Sequence, residues 1–364
     1  MSTSIQIRPR DAVELISEVI RSGSVPMLQG APGIGKTAIF SEVARIFNLK
    51  LIDVRLSMSD PSDLNGFPKI TDRVITLDPG TPNEREVIVS KGGYVPMDTF
   101  PVDTDELPTK PDGTKYAGWL INFDELTGAP KTIQLAAYKI LNERMVGNHP
   151  LHSKVAICAA GNRLSDKAAA VGVTTAMKSR LVWLELESNL EDWMVWADKV
   201  GIDFRVRRFV EYDVQCFNNF NPDIDAITYA CQRTWHKLSN LIKPMLEIKP
   251  VFNPVVHGTV GSAAAQKFIQ FCKEGDALPK LSEIIADPLN AKLPENRGTQ
   301  FFVTGLLEAN LNTGNAAAIV AYVERLNKEF QLLTLRKAAM RDPMIVMIPE
   351  VKAWTAANSD DLNE

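Results

Sequence analysis

The strongest constraint on this chain is the octapeptide Gly30-Ala31-Pro32-Gly33-Ile34-Gly35-Lys36-Thr37, which fits the phosphate-loop pattern G-x-x-x-x-G-K-T. Its glycines let the backbone turn tightly and point N–H groups inward. Lys36 is placed to reach β- and γ-phosphates, and the Thr37 hydroxyl is placed for Mg²⁺. The pattern has this meaning only between a strand and a helix, and both flanks comply. An apolar run, Ser24-Val-Pro-Met-Leu-Gln29, precedes the loop, and Thr37-Ala38 opens a stretch with helical spacing that runs to Phe47. Residues 30–38 are therefore expected to hold ATP with Mg²⁺ inside an α/β fold.

A chain of 364 residues can bury a large core and make two domains. Its 45% hydrophobic and 23% charged residues are ordinary for a globular protein. A net charge of −4 argues against a surface built to coat nucleic acid, although a basic pore loop could hide in that average. Cys158, Cys216, Cys231 and Cys272 are widely spaced, and no CxxC pair or Cys/His cluster suggests zinc, so buried free thiols in a reducing cytoplasm are expected. The polar N-terminus does not resemble a signal peptide. No run of about eighteen apolar residues offers a membrane span.

Along the chain, residues 9–22 read as an amphipathic helix, and Lys50–Leu56 as a second strand. Residues 57–117, rich in Pro, Gly and Asp, read as a long irregular insert of the functional or mobile kind. Gly118–Phe123 is a third strand ending on Asp124-Glu125, and a helix follows over residues 130–145. Lys154–Ala160 is a fourth strand ending on Gly161-Asn162, and Leu181–Leu186 a fifth. Strands alternating with helices imply a parallel sheet with covered faces and a ligand crevice at the strands' carboxyl ends. From residue 189 only helical periodicity remains. The expected division is a nucleotide-binding α/β domain over residues 1–188, carrying the 57–117 insert, and an all-α lid and C-terminal domain over 189–364. Asn358–Glu364 looks like a frayed acidic tail.

The stretch Leu120-Ile-Asn-Phe-Asp124-Glu125 supplies the second half of a nucleotide site. Taken alone it is a strand that ends in two carboxylates. Downstream of a phosphate loop, Asp124 can hold Mg²⁺ and Glu125 can polarise the water that attacks the γ-phosphate. Asn162 closes the next strand and can hydrogen-bond that water or the γ-phosphate, or simply make a turn. Arg180, with Lys178 nearby, is either a solvated cation or a charge-neutralising finger for a neighbouring subunit's phosphate. Arg233 opens a helix in the all-α part and could reach a nucleotide from a lid. His149 and His152 lack a third metal ligand and read as a turn. His257-Gly-Thr-Val-Gly-Ser-Ala263 reads as close helix packing rather than a second phosphate loop.

In this order, these motifs resemble an AAA+ ATPase of the MoxR branch, in the group of CbbQ, NirQ, NorQ, GvpN and the MoxR-like ATPases of bacteria and phages. The likeness runs from about residue 8 to 355. It is carried by Gly30–Thr37, Asp60-Pro-Ser-Asp-Leu-Asn-Gly66, Phe123-Asp-Glu-Leu126, Leu141-Asn-Glu-Arg-Met-Val-Gly147 and Ala159-Ala-Gly-Asn-Arg163. The resemblance implies a P-loop (AAA+) parallel sheet followed by an all-α lid. It makes Lys36 and Thr37 Walker A, Asp124 and Glu125 Walker B, Asn162 sensor 1, Arg180 a trans-acting finger and Arg233 sensor 2. Gln232 stands where the family has Pro before the sensor 2 Arg, which leaves Arg297 as a rival. It further implies a cytoplasmic ATPase of a bacterium or phage-infected cell, assembled as a ring, with six subunits expected. Such a ring would remodel a protein client beside a partner carrying a von Willebrand factor A domain. A nucleic-acid motor or loader, its pore lined by Lys91, Lys110 or Lys115, is the alternative; the acidic balance and the lack of a DNA-binding module weigh against it.

Overall fold

A computed structural model describes residues 6–166 and 172–358. The chain divides into two compact units, residues 1–188 and 189–364. The expectations for the extreme N-terminus and the acidic tail fall largely outside the described residues.

The first unit runs β1 (Gln6–Ile7), α1 (Pro9–Arg21), β2 (Val25–Gln29), α2 (Lys36–Ile46), β3 (Leu49–Arg55), α3 (Pro61–Asn65), β4 (Phe67–Leu77), β5 (Arg85–Val95), β6 (Gly118–Asp124), α4 (Lys131–Glu143), β7 (Met145–Val146), β8 (His149–Pro150), β9 (Val155–Gly161), α5 (Thr175–Lys178) and β10 (Leu181–Leu186). Six strands form one parallel sheet in the order β1-β10-β2-β9-β6-β3. This is an α/β P-loop fold, with β2 carrying the loop at the centre of the sheet. The central strands are near-continuous apolar runs because both of their faces are covered. Six of the seven residues of β6 are buried, and so are six of the seven in β9. Ile133, Ala137, Ile140 and Leu141, spaced along one side of α4, pack against Trp119, Ile121, Phe123 and Ile157 of these strands in one core.

The 57–117 segment corrects the sequence reading. It holds a regular antiparallel ribbon in which β4 and β5 pair over their full length, from Phe67↔Val95 to Leu77↔Arg85. The strand-forming residues Ile70, Val74, Ile75, Val87, Ile88 and Val89 were masked in the sequence by the Asp-, Pro- and Gly-rich flanks. Those residues form the connection over 78–84 and the anchors outside the ribbon. Ile70, Val74 and Ile88 are more than half exposed, so no burial pattern of the usual kind marked these strands. At the ribbon's base, the Gly66 Cα faces the Val95 carbonyl with no room for a Cβ (2.2 Å), and His149 Nε2 lies 2.9 Å from the Tyr94 carbonyl oxygen.

The second unit is helical: α6 (Leu190–Val200), α7 (Phe204–Tyr212), α8 (Gln232–Ile242), α9 (Asn253–Val260), α10 (Ser262–Asp276), α11 (Leu281–Ala286), α12 (Arg297–Asn310), α13 (Ala316–Val323), α14 (Lys328–Arg341) and α15 (Pro349–Ala357). Capping is visible in the chain. Asn189 accepts from the Asp192 N–H (3.1 Å) to start α6, and Gly201, left-handed at φ 68°, ends it. An aromatic core of Phe209, Trp235, Phe268 and Phe271 holds α7, α8 and α10 together. Beside it lies a buried ionic network. Arg207 pairs with Asp198 and with Glu308 (2.9 Å), and Arg208 pairs with Glu211 and with Glu308 (2.6 Å). The 257–263 segment is the junction of α9 and α10. Gly258 has open space where a Cβ would be, so close packing applies only to Gly261 (φ 83°), whose Cβ would meet the Thr228 carbonyl at 2.8 Å.

Candidate nucleotide site

The loop between β2 and α2 is shaped by its glycines. Gly33 (φ 80°) and Gly35 (φ 96°) take conformations that L side chains rarely adopt. Gly35 is also the N-cap of α2, which has no side-chain cap and no carboxylate in its first turn. First-turn N–H groups have no partner within their own helix, and together with the positive end of the helix dipole they suit phosphate. A Cβ on Gly30 would lie 2.5 Å from Ile34 Cδ1 and 3.0 Å from the Leu186 carbonyl oxygen, so a side chain here would displace Ile34 and crowd the end of β10.

Sheet order then brings the other motifs to the loop. β9 lies between β2 and β6, with Gln29 opposite Gly161 and Phe123 opposite Ala159. Asn162 therefore follows β9 beside the start of the phosphate loop, and Asp124 ends β6 one strand further on. The contacts agree with this placement. Lys36 Nζ donates to Asn162 Oδ1 (3.0 Å) and to the carbonyls of Gly30 (2.7 Å) and Ala31 (3.0 Å). The Thr37 hydroxyl reaches Asp124 Oδ2 at 3.5 Å. Five residues singled out in the sequence thus converge: Lys36, Thr37, Asp124, Glu125 and Asn162. Thr37 Oγ1 and Asp124 Oδ2 fit Mg²⁺, because hard oxygen donors on one side leave the remaining positions to phosphate and water.

Burial is the main cause pushing the Asp124 carboxyl above its ordinary range. The N–H of Glu125, donating to Oδ1 at 2.8 Å, opposes that, the Asp53 and Glu125 charges add to it, and Lys36 counters. Glu125 itself is left-handed (φ 56°, ψ 29°), a strained state for a residue with a Cβ. That turn aims its carboxylate at Ser57, whose hydroxyl donates to Oε2.

Ser57 was not singled out by the sequence, nor was Thr127, whose hydroxyl holds the Asn162 carbonyl at 2.9 Å. Arg163 binds Asp166 (2.9 Å) and reaches across to Glu185 of β10 (3.2 Å). One missed feature did carry a signal. Asn122 is a polar residue inside the apolar run Leu120-Ile-Asn-Phe123, fully buried and hydrogen-bonded to Asp53 Oδ1 at 2.6 Å.

Arg180 is not brought to this cluster. Its Nε donates to Asn142 Oδ1 (2.6 Å) and its guanidinium lies over the Tyr138 ring at 5.4 Å. Leu181 pairs with Val25, at the start of β2. Arg180 thus sits at the amino-terminal end of the strands, opposite the loop, about 16 Å back for five residues of strand. Arg233 is exposed in the first turn of α8, and its rival Arg297 begins α12 with Glu329 at 3.4 Å. His149 lies in the β7–β8 hairpin, and His152 follows it, with its ring 5.0 Å from that of Trp119 and its Nδ1 accepting from the Lys154 N–H at 3.0 Å. Among the described residues no group of three or more His, Cys, Asp or Glu could hold a metal ion, and no helix is long and apolar enough to cross a membrane.

No family model and no curated protein matches the chain. Among solved structures it is similar to NtrX from Brucella abortus in complex with ADP, at 13% identity over 96% of this chain and 67% of that one, with a TM-score of 0.37. It is also similar to the Thermotoga maritima RuvB Holliday junction branch migration motor, at 12% identity over 72% of this chain and 67% of that one, with a TM-score of 0.35. Likeness at this level says nothing of activity or partners. The fold assignment rests on the strand order and the loop described above.

Proposed function

We propose that the protein is a Mg²⁺-dependent ATPase of the AAA+ type. The observation that carries this reading is the convergence at Lys36 Nζ. It joins the phosphate loop to Asn162 at 3.0 Å, one strand away from the Thr37–Asp124 pair. Lys36 and the first turn of α2 would bind the β- and γ-phosphates. Mg²⁺, when bound through Thr37 and Asp124, would screen phosphate charge. Glu125 would take up the attacking water, and Asn162 would fix that water or the γ-phosphate.

The placement of Arg180 supports a site shared between subunits, since an exposed guanidinium at the amino-terminal end of the strands, away from its own loop, can face a neighbouring copy. The resemblance extends this to a ring, with six subunits expected. Arg233 or Arg297 would act as the lid's sensor. Such a ring would drive chaperone-like remodelling of a protein client with a von Willebrand factor A domain partner in the cytoplasm.

The test is turnover in two variants. Glu125→Gln should bind ATP and hydrolyse it very slowly, about 10²-fold or more below wild type. Arg180→Ala should keep nucleotide affinity and lose turnover. Wild-type turnover by Glu125→Gln refutes the mechanism, and turnover per subunit that is independent of concentration in a monomeric protein refutes the shared site.

A further inference from the structure

Beneath Asp124 the sheet carries a polar row that crosses three strands. Asp53 of β3 pairs with Asn122 of β6, which pairs with Cys158 of β9. The Asn122 amide is fully buried and its orientation is dictated at both ends. Its Nδ2 donates to Asp53 Oδ1 at 2.6 Å, and its Oδ1 faces the Cys158 thiol at 3.7 Å. A buried amide among apolar neighbours costs stability unless it is bonded, so Asn122 ties the Asp53 carboxylate to this face of the sheet. Strand alternation puts Asn122 and Asp124 on the same face, and Arg55 is the cross-strand partner of Asp124. Asp53 and Asp124 are therefore diagonal neighbours, about 7–8 Å apart along the sheet. Among the described residues neither carboxylate makes an ion pair. Asp53 is exposed and Asp124 half-buried; their like charges repel, and a divalent cation beside Asp124 would relieve that repulsion.

Resting on the ATPase reading, we infer that Asp53 is a positioning residue for the Mg²⁺ of that site: held by Asn122 behind Asp124, it raises divalent-cation affinity without touching the nucleotide. Removing one unit charge about 7–10 Å from a divalent ion in a hydrated site weakens its binding about four- to eightfold.

The test uses the full chain, ADP and Mn²⁺ as the spin-active substitute for Mg²⁺. Free Mn²⁺ is read by electron paramagnetic resonance as it is titrated into the protein–ADP complex, and ADP affinity in excess EDTA is read by calorimetry. Asp53→Asn keeps an acceptor for Asn122 and removes only the charge. It should weaken Mn²⁺ binding about four- to eightfold while ADP affinity in EDTA stays within about twofold. Asp53→Thr, a good strand former, should give the same result and guards against a folding defect in either variant. Unchanged Mn²⁺ affinity in both folded variants overturns the inference. An equal loss of ADP affinity in EDTA also overturns it, because Asp53 would then be supporting the loop as a whole. A wild-type chain that forms no ADP–Mn²⁺ complex would refute the nucleotide reading itself, and this inference with it.

Discussion

Glu125 gives the sharpest test of how the site is built, because its backbone and its carboxylate oppose each other in stability. At φ 56° and ψ 29° it occupies the left-handed region, which costs a residue with a Cβ about 1–2 kcal/mol. Glu125→Gln keeps that cost and the reach to Ser57 while removing the charge. Glu125→Asn removes the same charge, but Asn is several-fold enriched in this region, which corresponds to about 1 kcal/mol. The shorter side chain gives up the bond from Ser57, a partly exposed contact worth about 0.5 kcal/mol. Glu125→Gly removes the strain altogether and loses about 0.5–1 kcal/mol to the freedom of the unfolded chain. Asn should therefore exceed Gln in stability by about 0.5 kcal/mol, and Gly, which also gives up the Ser57 bond, by about 0.3 kcal/mol, or about 1–2 °C for a unit of this size. The assay is urea and thermal denaturation without nucleotide, with the three variants compared to one another so that the charge is held constant. All three should turn ATP over very slowly. If Gln is as stable as both Asn and Gly, the left-handed turn is not strained, and the argument that the fold sacrifices stability to aim this carboxylate is wrong.

Other consequences follow from the same geometry. A Cβ on Gly161 would lie 2.6 Å from Thr127 Oγ1 and 2.9 Å from Met27 Cε. Gly161→Ala should therefore cost about 1–3 kcal/mol in thermal melts and lower turnover by displacing Asn162, with smaller loss of ADP affinity. In the second unit, Glu308→Ala leaves Arg207 and Arg208 short of a buried partner and should cost about 3–5 kcal/mol of chemical stability, whereas Arg297→Ala, on an exposed pair, should cost less than about 1 kcal/mol. The four cysteines are buried and free, so thiol reagents at pH 8 should label the native chain negligibly and label all four sites in denaturant. Cys216 is pushed up to about 11, chiefly by burial and then by the charge of Asp213. Its folded value lies above the ordinary one, so the stability it contributes is present below about pH 9 and is lost as pH rises toward 11, which pH-dependent urea midpoints would show.

The local devices of this protein were legible in the sequence because they are local. Gly33 and Gly35 mark a loop that only glycine can form, and the apolar runs at Leu120–Phe123 and Val155–Ala160 mark strands covered on both faces. The carboxylates and amide that end those strands were equally readable as the chemistry of a phosphate site. The ribbon over residues 67–95 was not legible. Its strands are largely exposed on the first unit, so neither face shows the buried alternation by which strands are recognised, and their pairing is made by backbone groups that any sequence possesses. The rest of the site was decided by which strands became neighbours. Placing β9 between β2 and β6 delivers Asn162 to Lys36 across 126 positions of chain, and the register of β3 on β6 sets Asp53 against Asn122 and Ser57 near Glu125. Motif spacing names residue types and their order along the chain. The hydrogen bonds that hold Glu125, Asn162 and Asp53, and the position of Arg180 at the strand end away from the loop, are long-range pairings that exist only once the sheet has chosen its order.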